Sequence, residues 1–173
     1  GLMKAGLVEP VVSMLEQKGF NVYVYSDIEP DPSVECVDRA AQAYTSGEFD
    51  GIVAIGGGSP IDAAKAVRVV ASNGGSIVDY DGVNLVKNPN IPLVAMPTTA
   101  GTGSEVTIFG VYSDWKRNVK FNVTSPFMAP TVSIVDPQFT VNSPKSITAA
   151  SGIDALAHAV EALYSVKSTP ATD

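Results

Sequence analysis

Apolar and polar positions alternate with two periods along this chain, and the switches between them mark out its elements. Leu7, Val8, Val11, Val12, Met14 and Leu15 recur at helical spacing and run out at Lys18-Gly19, a glycine stop. Phe20-Asn21-Val22-Tyr23-Val24-Tyr25 then alternates with a period of two, as a strand does. Glu29-Pro30-Asp31-Pro32-Ser33 is a turn, and a helix is predicted over residues 33–46. The β-branched run Gly51-Ile52-Val53-Ala54-Ile55 predicts a buried strand, and the helix expected over 60–71 stops at Asn73-Gly74-Gly75. Residues 91–96 repeat the buried-strand pattern. Residues 106–112, 119–123 and 131–135 read as further strands with short turns, and a helix over 151–165 closes the chain. Strands alternating with helices at this spacing predict an α/β fold, a parallel sheet with helices on both faces.

The first junction that carries chemistry is Gly56-Gly57-Gly58-Ser59-Pro60-Ile61-Asp62-Ala63-Ala64-Lys65. Ser59 is a good N-cap residue, Pro60 suits the first helical position, and Asp62 stands where a capping box places its acid. The unit predicts strand, glycine turn, helix start. Three glycines let backbone approach a ligand closely, and the first amides and dipole of a helix favour a phosphate there. A plain tight turn before a capped helix has the same pattern.

A second loop, Pro97 to Ser104, holds three threonines, one serine and two glycines in eight residues. Their hydroxyls and amides suit a sugar or phosphate, although small hydroxyl residues also populate ordinary turns. Two such loops, each after a buried strand, strengthen the ligand reading, because open α/β sheets bind at their strands' carboxyl ends.

In the closing helix, Asp154, His158, Glu161 and Ser165 fall within about 60° of one another at roughly 100° per residue. Every other face is Ala, Leu, Ile, Val or Tyr, which predicts a buried helix. Carboxylates and an imidazole on one buried stripe need partners. Asp154 and His158, spaced i and i+4, can share a divalent metal or simply hydrogen-bond to each other. His158 is the only histidine and Cys36 the only cysteine, so a metal site here needs ligands this sequence does not contain.

Bulk composition narrows the partners. The 173 residues are 45% apolar and 17% charged, enough for a packed core and one domain as the first expectation. A net charge of −7, without a long basic run, argues against nucleic acid and anionic membranes. A lone Cys36 rules out an internal disulfide framework and fits the reducing cytoplasm; there is no 18-residue apolar run and no leader pattern. The opening Gly1-Leu2-Met3-Lys4-Ala5-Gly6 reads as the tail of a loop. The closing Ser168-Thr169-Pro170-Ala171-Thr172-Asp173 reads as an unfinished passage, so a segment of a longer polypeptide is expected.

Taken together, GGGSPIDAAK at 56–65, PTTAGTGSE at 97–105 and GIDALAHAVEA at 152–162, with EPDPS at 29–33 and VDP at 135–137, resemble the iron-containing (group III) alcohol dehydrogenase family across essentially the whole chain. The resemblance implies a Rossmann-like NAD(P)-binding domain over 1–143, lacking its first strand, and the truncated start of an all-helical metal-binding domain over 144–173. It implies that Gly56, Gly57, Gly58, Ser59 and Pro60 hold the cofactor's pyrophosphate. Thr98, Thr99 and Thr102 line its two ends, and Val111 and Phe139 supply apolar contacts. Lys120 reaches the nicotinamide half. Asp154 and His158 are two of four metal ligands, for Fe²⁺ with Zn²⁺ able to substitute. Asp31 stands where the family has asparagine, as an adenosine contact, and its charge disfavours a ribose phosphate and tilts the cofactor towards NAD. The implied activity is hydride transfer between a primary alcohol or aldehyde and NAD(P) in a homodimer, with the 173 residues alone expected to be inactive. A glycerol dehydrogenase- or dehydroquinate synthase-like enzyme of the same architecture is the alternative chemistry. A non-redox nucleotide-binding module is the alternative class, and no GxxxxGK[ST] supports it.

Overall fold

The structure, a computed structural model, describes residues 2, 3, 5–87 and 91–172. Of the two end passages, Gly1, Lys4 and Asp173 therefore lie outside the described residues. Helix α1 (Glu9–Gln17) ends at Lys18, with Gly19 at φ +88° just after it. The alternating segment that follows is not a strand. No strand among the described residues pairs with 20–25, and Phe20 and Tyr23 are both 63% exposed. Alternation prepares a segment for a sheet, but only a neighbour's backbone supplies the ladder.

Helix α2 (Val34–Thr45) matches its expected span, because the Ser33 hydroxyl accepts the Cys36 amide and caps it. Strand β1 (Ile52–Gly56) leads into α3 (Gly58–Asn73), which starts earlier than the capping pattern predicted. Gly57 occupies the cap position, so Ser59 and Pro60 are already helical and no capping box forms with Asp62. Proline is tolerated there because first-turn amides have no intrahelical acceptor anyway. The Ser59 oxygen accepts the Asp31 amide instead, at 3.2 Å. Gly74 (φ +82°) and Gly75 (φ +73°) end α3 as expected.

A 3₁₀ turn (Ile77–Tyr80) precedes β2 (Gly82–Val83), β3 (Leu93–Pro97), β4 (Phe109–Asp114) and β5 (Val119–Thr124). A second 3₁₀ turn (Pro126–Met128), β6 (Val132–Ser133), the short α4 (Gln138–Val141) and α5 (Lys145–Tyr164) complete the order. The chain is α/β: strands β1, β3 and β6 lie side by side and parallel, in that order. A second sheet, ordered β2-β5-β4, contains the antiparallel β4–β5 hairpin with β2 parallel to β5.

Helix α3 is the common support of both sheets. Its Ile61 and Ala64 pack on Ala54, Leu93 and Ala95 of the parallel sheet. Its Ala66 and Val69 pack with Tyr112, Phe121, Val123 and Met128 on the hairpin side. Val67 meets Ala40 and Ala41 of α2. Burying apolar surface on three sides fixes where α3 begins, and with it the glycine turn.

Helix α5 departs from expectation twice. It starts six residues early, at Lys145, and it is not an interior helix: none of its residues is buried. Ile153, Leu156 and Leu163 are 67%, 59% and 57% exposed. An apolar circumference states what surroundings a helix suits, and the described residues do not supply them.

Candidate functional site

Parallel pairing brings the site together. Gly56 is in register with Pro97, so the glycine turn and the threonine loop leave adjacent strands at the same edge. The Thr98 amide donates to the Gly56 carbonyl at 2.9 Å, carrying the ladder one step past the strands. Strand β6 lies on the other side of β3, with Ala95 opposite Ser133, so the passage holding Phe139 leaves from that edge too. Three carboxyl-terminal exits thus converge, as in other open α/β sheets that bind ligands.

Turn and loop touch. A Cβ on Gly57 would stand 3.2 Å from Thr99 Oγ1, and one on Gly58 would stand 3.1 Å from Thr102 Cγ2 and 3.3 Å from Ser104 Oγ. Glycine is what lets the loop's side chains pack this closely on the backbone of the turn. No side chain caps α3, leaving its first amides open, and the buried Thr99 Oγ1 has no hydrogen-bond partner. An uncapped helix end and an orphaned hydroxyl beside a glycine cradle fit an anionic, oxygen-rich ligand. Gly58→Val is expected to overfill this contact, at a cost of about 1–3 kcal/mol. The check is an NADH fluorescence titration, read as at least a fivefold loss of affinity with the circular dichroism spectrum retained.

The loop also reaches α5. The Ser143 hydroxyl donates to the Thr98 carbonyl at 3.2 Å, and a Cβ on Gly101 would meet the Ser151 carbonyl at 2.3 Å. Helix α5 therefore meets the loop at Ser151, about one turn before Asp154. His158 Nε2 stands 3.7 Å from Asp154 Oδ1, with side chains 54% and 43% exposed. The imidazole is not tucked among aliphatic neighbours. An oxygen and a nitrogen donor on one open face fit Fe²⁺ or Zn²⁺, but no third ligating side chain joins them among the described residues.

Asp31 and Lys120 come together, although the resemblance set them at opposite ends of the cofactor. Ser113 on β4 donates its amide to the Pro32 carbonyl at 3.0 Å and lies opposite Lys120 on β5. This straps the 29–33 turn to the hairpin and leaves Asp31 Oδ2 3.0 Å from Lys120 Nζ. In the free chain the two side chains thus form one ion pair, open to solvent. The Asp31 carboxylate therefore has a cation beside it in the free chain. Val111, in the middle of β4, gives its amide to Asp62 Oδ2 at 3.0 Å.

A buried ionic group behind the cradle escaped the sequence reading. Lys65, fully buried, donates to the Phe109 carbonyl at 2.7 Å and to Thr107 Oγ1 at 3.1 Å, and its Nζ stands 3.5 Å from Asp62 Oδ1. Tyr112 donates its hydroxyl to the Asp62 carbonyl at 2.9 Å. Arg68 donates to the Ala129 carbonyl at 2.8 Å and to the Phe127 carbonyl. Burial pushes the Asp62 carboxyl up against the pull of the lysine, and pushes the Lys65 ammonium down against the pull of the aspartate. The signal was available: Asp62, Lys65 and Arg68 repeat at i, i+3 on a helix whose remaining middle positions are Ala and Val.

The sequence model of iron-containing alcohol dehydrogenase matches residues 1–137. This chain belongs to the iron-containing alcohol dehydrogenase family. It is 44% identical over 172 residues to the NAD-dependent methanol dehydrogenase of Bacillus methanolicus, covering 99% of this chain and 45% of that one. The crystal structure of a 1,3-propanediol oxidoreductase superposes with a TM-score of 0.94 at 39% identity, over all of this chain and 45% of the other. The sulfoacetaldehyde reductase of Bifidobacterium kashiwanohense, solved with NAD⁺, superposes at 0.88 and 35% identity, over 97% of this chain and 44% of the other. The chain thus spans less than half the length of these relatives. Among its described residues, no helix is long and apolar enough to cross a membrane.

Proposed function

We propose that the protein is an NAD- and metal-dependent alcohol dehydrogenase that interconverts a small primary alcohol and its aldehyde. The observation that carries this reading is the pairing of Gly56 with Pro97, which sets an uncapped helix end against an orphaned threonine hydroxyl. Family membership, an NAD-dependent relative and another solved with NAD⁺ support the cofactor. When bound, the nicotinamide supplies a hydride acceptor and the metal supplies Lewis acidity.

The chain's own residues bind and orient. Gly57, Gly58 and the open amides of α3 would hold the diphosphate, with Ser59 and Pro60 shaping the turn. Thr98, Thr99 and Thr102 would hold the ribose oxygens, while Val111 and Phe139 close the site against water. Lys120 would steady the nicotinamide half, and Asp31 would contact the adenosine. Asp154 and His158 would hold the metal, iron by the family's description, from a helical unit beginning near 144. The contact between Gly101 and Ser151 supports this arrangement, since it seats the ligand helix on the cofactor loop. Alignment of two reaction centres is itself worth several orders of magnitude in rate.

A free, buried Cys36 supports a reducing compartment such as the cytoplasm. A charge of −7 supports small-molecule rather than nucleic-acid or membrane partners, in a homodimer of the intact enzyme. The deciding experiment is a spectrophotometric assay of the intact, iron-loaded protein with short primary alcohols and NAD⁺. Growth of NADH absorbance that disappears on chelation supports the reading, and no turnover with any alcohol or aldehyde sinks it. The 173 residues alone are expected to show no turnover in the same assay.

A further inference from the structure

We infer that Asp31 is an internal competitor for Lys120: its carboxylate holds, in the cofactor-free protein, the ammonium that the dinucleotide takes over. The inference rests on the proposed role of Lys120 as a cofactor contact. It deepens that role by assigning to Asp31 the control of cofactor release.

Three features make Asp31 a poised competitor. The turn that carries it is held from both sides, by the Ser113 amide on the Pro32 carbonyl and by Glu29, whose carboxylate accepts the Ser33 amide and hydroxyl. Asp31 sits at its tip with φ +51°, in the left-handed region that aspartate and asparagine tolerate better than most residues. Its amide donates to Ser59 Oγ, in the first turn of α3 beside the glycine cradle. The hydroxyl proton of Ser59 stays available to a ligand oxygen, so the tip is docked without consuming the donor.

The ion pair itself is open to solvent, with side chains 53% and 64% exposed. A pair in that setting is cheap to break, and its strength falls with salt. Lys120 can therefore exchange the Asp31 carboxylate for a cofactor oxygen without a buried charge being stranded. When the cofactor leaves, the carboxylate recaptures the ammonium. The consequence is weaker holding and faster release than the lysine alone would give, and release limits turnover in many enzymes with bound nucleotides.

The test uses Asp31→Asn, which keeps the left-handed turn and the amide to Ser59 but removes the competing charge. NADH binding to the intact protein is measured by equilibrium fluorescence and stopped flow, at low and at physiological salt, for the wild type, D31N, K120M and the double variant. The expected result is a Kd about three- to tenfold lower in D31N at low salt, mostly through slower release, with the gain shrinking as salt rises. K120M binds NADH more weakly, and adding D31N to it recovers nothing. If K120M is weakened while D31N binds NADH unchanged or more weakly, the competitor role is overturned and the cofactor reading stands. If K120M binds as the wild type does, the assignment of Lys120 to the cofactor fails, and the competitor role falls with it.

Discussion

Lys65→Met is expected to destabilise the fold by about 3–5 kcal/mol, because it strands the Asp62 carboxylate in the interior without its cation. The lysine side chain is wholly buried, with an Asp62 oxygen at 3.5 Å and the Phe109 carbonyl at 2.7 Å. Removing the ammonium takes the cation from beside the Asp62 carboxylate and a donor from the Phe109 carbonyl, whereas replacing the pair by Asp62→Asn with Lys65→Met removes the stranded charge. The double variant should therefore recover part of the loss, and urea unfolding of the three proteins measures it. The pH dependence of the single variant has an unusual sign. Burial already raises the Asp62 carboxyl above its ordinary value of 3.8, and loss of the lysine removes the main opposing influence. A folded state that holds a proton more tightly than the unfolded one loses stability as pH rises above that ordinary value. K65M should consequently be less handicapped at pH 4–5 than at pH 8. Equal handicaps at both would show that Asp62 is not stranded.

His158→Ala in the intact enzyme is expected to lower bound metal to background and to cut alcohol oxidation by about 10³-fold or more. A Lewis acid at the reacting oxygen is worth several kcal/mol of barrier, and each 1.36 kcal/mol is a factor of ten. Metal content by elemental analysis and NADH affinity by fluorescence separate the causes, since cofactor binding should stay within a factor of about two of the wild type. His158 lies on α5 about two turns beyond Ser151, where the loop meets that helix, and Gly56 and Thr98 are held by the β1–β3 ladder rather than by the imidazole. Retained metal with lost activity would remove His158 from the ligand set and leave it a different role.

Both experiments probe features that were unequally visible from residue order. Local patterns carried the elements whose stabilising contacts are close in sequence. Ser33 capping α2, the glycines ending α3 and the run forming β1 each act within a few positions, and the boundaries came out nearly as expected. The start of α3 did not, because Ser59 had another use: a distant amide, from Asp31, took the oxygen that the capping pattern reserved. The strand expected over 20–25 failed for the complementary reason, since its period was right and its hydrogen-bonding neighbour was missing among the described residues.

Residue order by itself determined the α/β class, the glycine turn and the threonine loop as ligand-binding candidates, and the i, i+4 spacing of Asp154 and His158. These depend on periodicity and on chemistry carried by single side chains. The tertiary structure alone decided that Gly56 ends beside Pro97, that Asp31 faces Lys120, and that Lys65 reaches the Phe109 carbonyl. It also left α5 without a buried residue among the described residues. Those outcomes depend on which backbones lie next to one another after the sheets assemble, and pairing between segments 30 to 90 residues apart leaves no mark on the local spacing of either.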